Sequence, residues 1–146
     1  MNEHDHLPHV PANVWTTFFI LMSLTTSIGF IYSLSAVSLF LAATFNIVAT
    51  VIKYRMKEKN ILGEISLGAS IVADLHLIPA SLLVITTAAY WVQLPSDSFT
   101  TIGAVGFAIG AVVANAVSVI IVIINESLQF EYLRKYKRVK GSNIPD

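Results

Sequence analysis

No residue between Val14 and Ile52 carries a charge. That run is about twice the ~20 residues needed to cross ~30 Å of hydrocarbon as a helix, so it predicts two spans joined by a tight turn. Gly29 and the Tyr32–Ser33–Leu34–Ser35 stretch are the turn candidates, which sets span one at 14–32 and span two at 35–53. A polar break follows, Lys53–Tyr54–Arg55–Met56–Lys57–Glu58–Lys59–Asn60. Span three falls within 61–92, with its core at 66–92, and Tyr90 and Trp91 serve as interfacial aromatics marking its far end. Leu94–Pro95–Ser96–Asp97–Ser98 reads as a turn, and span four occupies 101–124. The pattern therefore predicts an all-α integral membrane protein of four transmembrane helices in two antiparallel hairpins. A short tail (1–13) precedes the transmembrane domain (14–125), and a basic tail (126–146) follows it.

The charges orient these spans. All nine basic residues fall in two places: Lys53, Arg55, Lys57 and Lys59 in the central loop, and Arg134, Lys135, Lys137, Arg138 and Lys140 in the tail. Four spans put both clusters on one side of the bilayer, and an odd number would separate them. The positive-inside rule makes that side cytoplasmic, so both termini are expected inside, in the inner membrane of a bacterial cell. In the tail, Leu128, Tyr132, Tyr136 and Val139 recur at helical spacing, and Glu131 precedes Lys135 by one turn. This spacing suits a continuation of helix four whose Arg134, Lys135, Lys137 and Arg138 meet anionic lipid headgroups. Plain stop-transfer charges are the alternative.

Composition agrees. Of 146 residues, 55% are hydrophobic and 12% charged, with a mean hydropathy of +0.70, whereas soluble domains carry about 25% charged residues. The formal net charge is zero and there are no cysteines. Nothing calls for a nucleic-acid partner, and disulfide, zinc-thiolate and iron–sulfur chemistry are excluded. Met1–Asn13 lacks the basic region of a secretory signal. Its His4, His6 and His9 are read as incidental, so neither a metal site nor a cofactor is expected.

Polar residues within the spans are the functional candidates, because ionisable groups are costly in hydrocarbon. Span three holds Asp74 and His76, about 200° apart on one helix and so facing different partners. Ser66, Ser70 and Asp74 form one stripe, and His76, Ala80 and Thr87 another. Pro79 frees the carbonyl of Leu75, and with Asp74 and Ser70 that carbonyl could hold a hard cation. Asn46 and Asn115 lie at a similar depth, suited either to lining such a site or to bonding across helices. The competing reading makes Asp74 a carboxylate near enough to the cytoplasmic surface for water to reach. Gly106, Gly110 and Ala114 form a small-xxx-small face for close helix approach, within the chain or with another copy. A homo-oligomer or a larger membrane partner is expected.

A shift of 61 residues places Leu24–Thr25–Thr26 on Ile85–Thr86–Thr87, and a shift of 69 places Asn46–Ile47–Val48–Ala49 on Asn115–Ala116–Val117–Ser118. Such an echo is what a parallel hairpin repeat would leave. Thr25–Thr26–Ser27–Ile28–Gly29–Phe30 and Thr100–Thr101–Ile102–Gly103 resemble fragments of potassium-channel selectivity filters, with Ser27 inserted and with Ile31 and Ala104 in place of the next glycine. That resemblance implies carbonyls directed at an ion. As a whole the chain is similar to small bacterial inner-membrane proteins. No nucleotide-binding loop or hydrolase motif is present, and no enzyme activity is expected. Two functions follow: transport of a cation, potassium included, or of protons; or an accessory, scaffolding subunit of a membrane complex.

Overall fold

The computed structural model describes residues 12–56, 61–87 and 94–141. They form four α-helices: α1 (Ala12–Ser33), α2 (Ala36–Met56), α3 (Ile61–Thr87) and α4 (Phe99–Gly141). All four contain stretches long and apolar enough to cross a membrane. Tyr90, Trp91, Lys57, Lys59 and the three N-terminal histidines lie outside the described residues.

The first turn falls within the expected Tyr32–Ser35 stretch. Gly29, Tyr32 and Ser33 remain helical, and the chain reverses at Leu34–Ser35. Leu34 adopts a left-handed conformation (φ 50°), and its N–H donates to the carbonyl of Phe30 at 2.8 Å. A non-glycine residue at this helix end is uncommon. Leu34 is held there because its side chain packs on the core and its carbonyl accepts from Leu94 N–H at 3.1 Å. The reversal after α1 is thereby clasped to the segment that leads into α4. That segment turns at Pro95–Ser98, as its sequence predicts, and Ser98 caps α4 by accepting from Thr101 N–H at 3.1 Å.

Helix three begins five residues before the expected core of its span, with Glu64 in its first turn, where negative charge suits the helix dipole. Helix four does not stop at 124. Its 43 residues make a rod of about 65 Å, roughly twice the hydrocarbon thickness. Glu126 through Tyr132 are exposed all round, and Glu131 pairs with Lys135 at 3.0 Å, so the tail continues helix four.

Each helix packs against two others in the cyclic order α1, α2, α3, α4. Where they meet, residue numbers rise along one helix as they fall along its neighbour. Ser23 reaches Ala42, Asn46 and Lys53 reach Asp74 and Ser66, and His76 and Leu83 meet Gly110 and Gly103. Alanines make close packing possible: Ala42, Ala49, Ala73, Ala80, Ala108 and Ala111 are fully buried. Larger core side chains, Phe30, Leu39, Leu77, Val84 and Leu94, gather toward the end that carries the Leu34 turn. The outward faces carry exposed Leu21, Leu41, Val51, Leu82, Val113 and Ile120. A molecule with alanine and polar groups inside and large apolar groups outside is built for lipid.

Candidate functional site

Asn46, Thr50 and Lys53 lie within about 60° of one another on α2. They face the Ser66–Ser70–Asp74 stripe of α3. Asn46 Nδ2 donates to Asp74 Oδ1 (2.7 Å) and to the Ser70 carbonyl (3.0 Å), and Thr50 Oγ1 donates to Asp74 Oδ2 (2.6 Å). One turn nearer the basic end, Lys53 Nζ donates to the Ser66 carbonyl (3.0 Å), to Ser70 Oγ (2.7 Å) and to Ser118 Oγ of α4. Three oxygens from two helices thus match the three hydrogens of the ammonium. Asn46, Ser70 and Ser118 are fully buried, while Lys53 and Asp74 are partly so.

A second chain of bonds ties the other side of the bundle. Asn115 Nδ2 of α4 donates to Ser23 Oγ of α1 (3.0 Å), and Ser23 Oγ donates to the Ala42 carbonyl of α2 (2.9 Å). Asn46 and Asn115, which the 69-residue shift aligns, are therefore both buried and both reach a neighbouring helix. Below the Lys53 cluster, at the basic end, lies a cavity of about 300 Å³. All four helices wall it; its polar lining comes from Thr16, Lys53, Glu64, Ser66, Asn125 and Glu126.

Of the expected cation site, Asp74 and Ser70 converge on the Asn46 amide, and the Leu75 side chain lies on the outer face. The Lys53 ammonium, read from sequence only as an orienting charge, sits against Ser70. Among the described residues no group of acids and histidines is arranged to hold a metal ion. His76 turns away, as its 200° offset requires. Its Nδ1–H donates to the Val72 carbonyl at 2.7 Å, and its ring meets Phe107 edge-on at 6.2 Å and covers Gly110.

The filter-like fragments are helical. Thr25 and Thr26 bond back to the carbonyls of Leu21, Met22 and Ser23, Gly29 lies inside α1, and Thr100, Thr101 and Gly103 form the first turns of α4. A helix directs its carbonyls along its own axis, so neither fragment presents a ring of them to an ion. The small-residue face divides: Gly110 and Ala114 pack inside this chain, whereas Gly106 has open space where a side chain would start. Arg134 and Lys135 are exposed beyond the bundle; the side chains of Lys137 and Arg138 lie outside the described part.

Thr50, Lys53, Ser118 and Ser23 were not singled out from the sequence. Helical spacing could have found the first two, since Asn46, Thr50 and Lys53 share a face as plainly as Ser66, Ser70 and Asp74 do. Ser118 and Ser23 carry no such signal.

Four apolar spans around a polar interior define a multi-pass α-helical membrane protein. The chain belongs to the family of unknown function DUF6394, whose model matches residues 33–126. That stretch holds every member of the Lys53–Asp74 cluster. No curated protein and no solved structure matches the chain.

The glycine contacts yield a test. A Cβ on Gly110 would overlap the His76 ring, and one on Gly106 would touch nothing. Gly110→Ala should lower stability by about 1–3 kcal/mol through overpacking, and Gly106→Ala should be neutral or slightly stabilising; unfolding midpoints in detergent check both.

Proposed function

We propose that this protein is a small transport component of the bacterial inner membrane, in which Asp74 and Lys53 handle a proton or small cation drawn from the cytoplasm. The observation that carries the reading is the Lys53–Ser70–Asp74–Asn46 cluster, whose Lys53 lines the 300 Å³ cavity. Charged groups within a span are retained for function more often than for stability. Lys53, Arg55, Arg134 and Lys135 lie at the cavity's end of the bundle, which the positive-inside rule places in the cytoplasm. The two helical hairpins then enter and leave on that side, and a parallel repeat agrees with the matched roles of Asn46 and Asn115. The role is one of transfer without covalent catalysis. Four short spans leave much apolar surface to lipid or to further copies, and a homo-oligomer fits that surface. Arg134 and Lys135 are placed for anionic headgroups.

Purified protein in liposomes provides the test. Asp74→Asn should reduce proton or cation flux by about two orders of magnitude, the usual weight of a proton-transferring side chain. Equal flux from both proteins, or none from the wild type, removes the reading.

The open surface at Gly106 favours a second reading, an accessory subunit that docks another helix there. Under it, Gly106→Leu should shrink the native complex seen on a gel or by light scattering, and an unchanged complex counts against it.

A further inference from the structure

Among the described residues, four buried side-chain polar atoms have no hydrogen-bond partner: Asn46 Oδ1, Asn115 Oδ1, Ser27 Oγ and Ser81 Oγ. The two amide orientations are fixed by their neighbours. Both acceptors of Asn46 Nδ2, a carboxylate and a carbonyl oxygen, require the nitrogen on that side. Ser23 spends its single hydrogen on the Ala42 carbonyl and must accept from Asn115. The unpartnered oxygens are therefore genuine acceptors, and each such group costs about 1–3 kcal/mol when buried.

Their placement is ordered. Asn46 belongs to the Asp74 cluster, and Asn115 bonds Ser23 beside it. Ser27 follows Ser23 by one turn on the same face of α1. Ser81 follows Asp74 by seven residues, which brings it back to the same face of α3, about 10 Å nearer the turn end. Thr101, 2% exposed, lies in the first turn of α4 at that same end. Ser27 and Ser81 thus extend the polar faces of α1 and α3 one to two turns beyond Ser23 and Asp74, toward the turn end.

We propose that these oxygens bind a file of water that carries protons between Asp74 and the turn end of the bundle. The reading rests on the transport function above and names its cargo. Phe30, Leu39 and Leu77 are fully buried in the outer half and leave no passage for a hydrated metal ion, and no ring of carbonyls replaces its hydration shell. A proton needs neither. It passes when an O–H bond forms on an Asp74 oxygen as one breaks in an adjacent protonated water, which is left neutral, and it leaves when the new O–H bond breaks and the next water takes up the proton.

The test uses proteoliposomes with a pH-sensitive dye inside, comparing wild type, Asp74→Asn, Ser27→Ala and Ser81→Ala, with an unfolding midpoint for each. Each serine variant should lower proton flux about tenfold, the effect of one lost hydrogen bond of about 1.4 kcal/mol on a barrier. Its midpoint should be unchanged or higher, because an unpartnered hydroxyl has been removed. Replacing potassium by sodium outside should not alter the flux. If Asp74→Asn abolishes flux while both serine variants keep the wild-type rate, the path is wrong and the transport reading stands. Absence of flux from the wild type overturns both.

Discussion

Lys53 carries its charge into a bundle whose outer walls face hydrocarbon, and three oxygens from two other helices converge on its ammonium. Much else in the interior follows from that requirement. A cation in such a place is tolerated only when its hydrogens are matched and a negative charge stands near. Ser66, Ser70 and Ser118 supply the first condition. Asp74, one turn deeper, is tied to the same group of side chains through Asn46, which bonds both the carboxylate and the backbone of Ser70. These polar bonds join α2, α3 and α4 at one level of the bundle.

The same constraint divides the bundle along its length. At the basic end Lys53 lines a cavity of about 300 Å³; at the turn end Phe30, Leu39, Leu77, Val84 and Leu94 pack around the clasp between Leu34 and Leu94. A site that holds a lysine and a carboxylate between helices is what carries the proposed transfer role. It is a poor design for stability alone, since a buried ionic group is often replaceable by apolar side chains without loss.

Much of the architecture was legible in the sequence. The uncharged run from Val14 to Ile52 and the two basic clusters predict four spans, and the structure has four helices able to cross a membrane. The opposed directions of Asp74 and His76 followed from helical geometry alone, as did the Glu131–Lys135 pair. The role of Lys53 was hidden because hydropathy reads a lysine at the end of a span as a boundary marker, whereas its long stem lets the ammonium reach back between helices. The filter-like fragments misled for a related reason. Threonine and glycine at those spacings suit an extended filter, but the local hydrogen bonds of Thr25 and Thr26 are equally satisfied in a helix. The division of the Gly106–Gly110–Ala114 face depended on where His76 lands, a tertiary fact that the helix's own sequence does not contain.

A double-mutant cycle between Lys53 and Asp74 tests most directly whether the two charges belong to one network. Lys53→Met and Asp74→Asn each remove one charged group from the network, and the double variant removes both. Unfolding free energies in detergent should show the double variant more stable than the sum of the single losses predicts, by about 1–3 kcal/mol, as for residues of one hydrogen-bond network. Losses that add to within about 0.5 kcal/mol, as they do for independent sites, would contradict it.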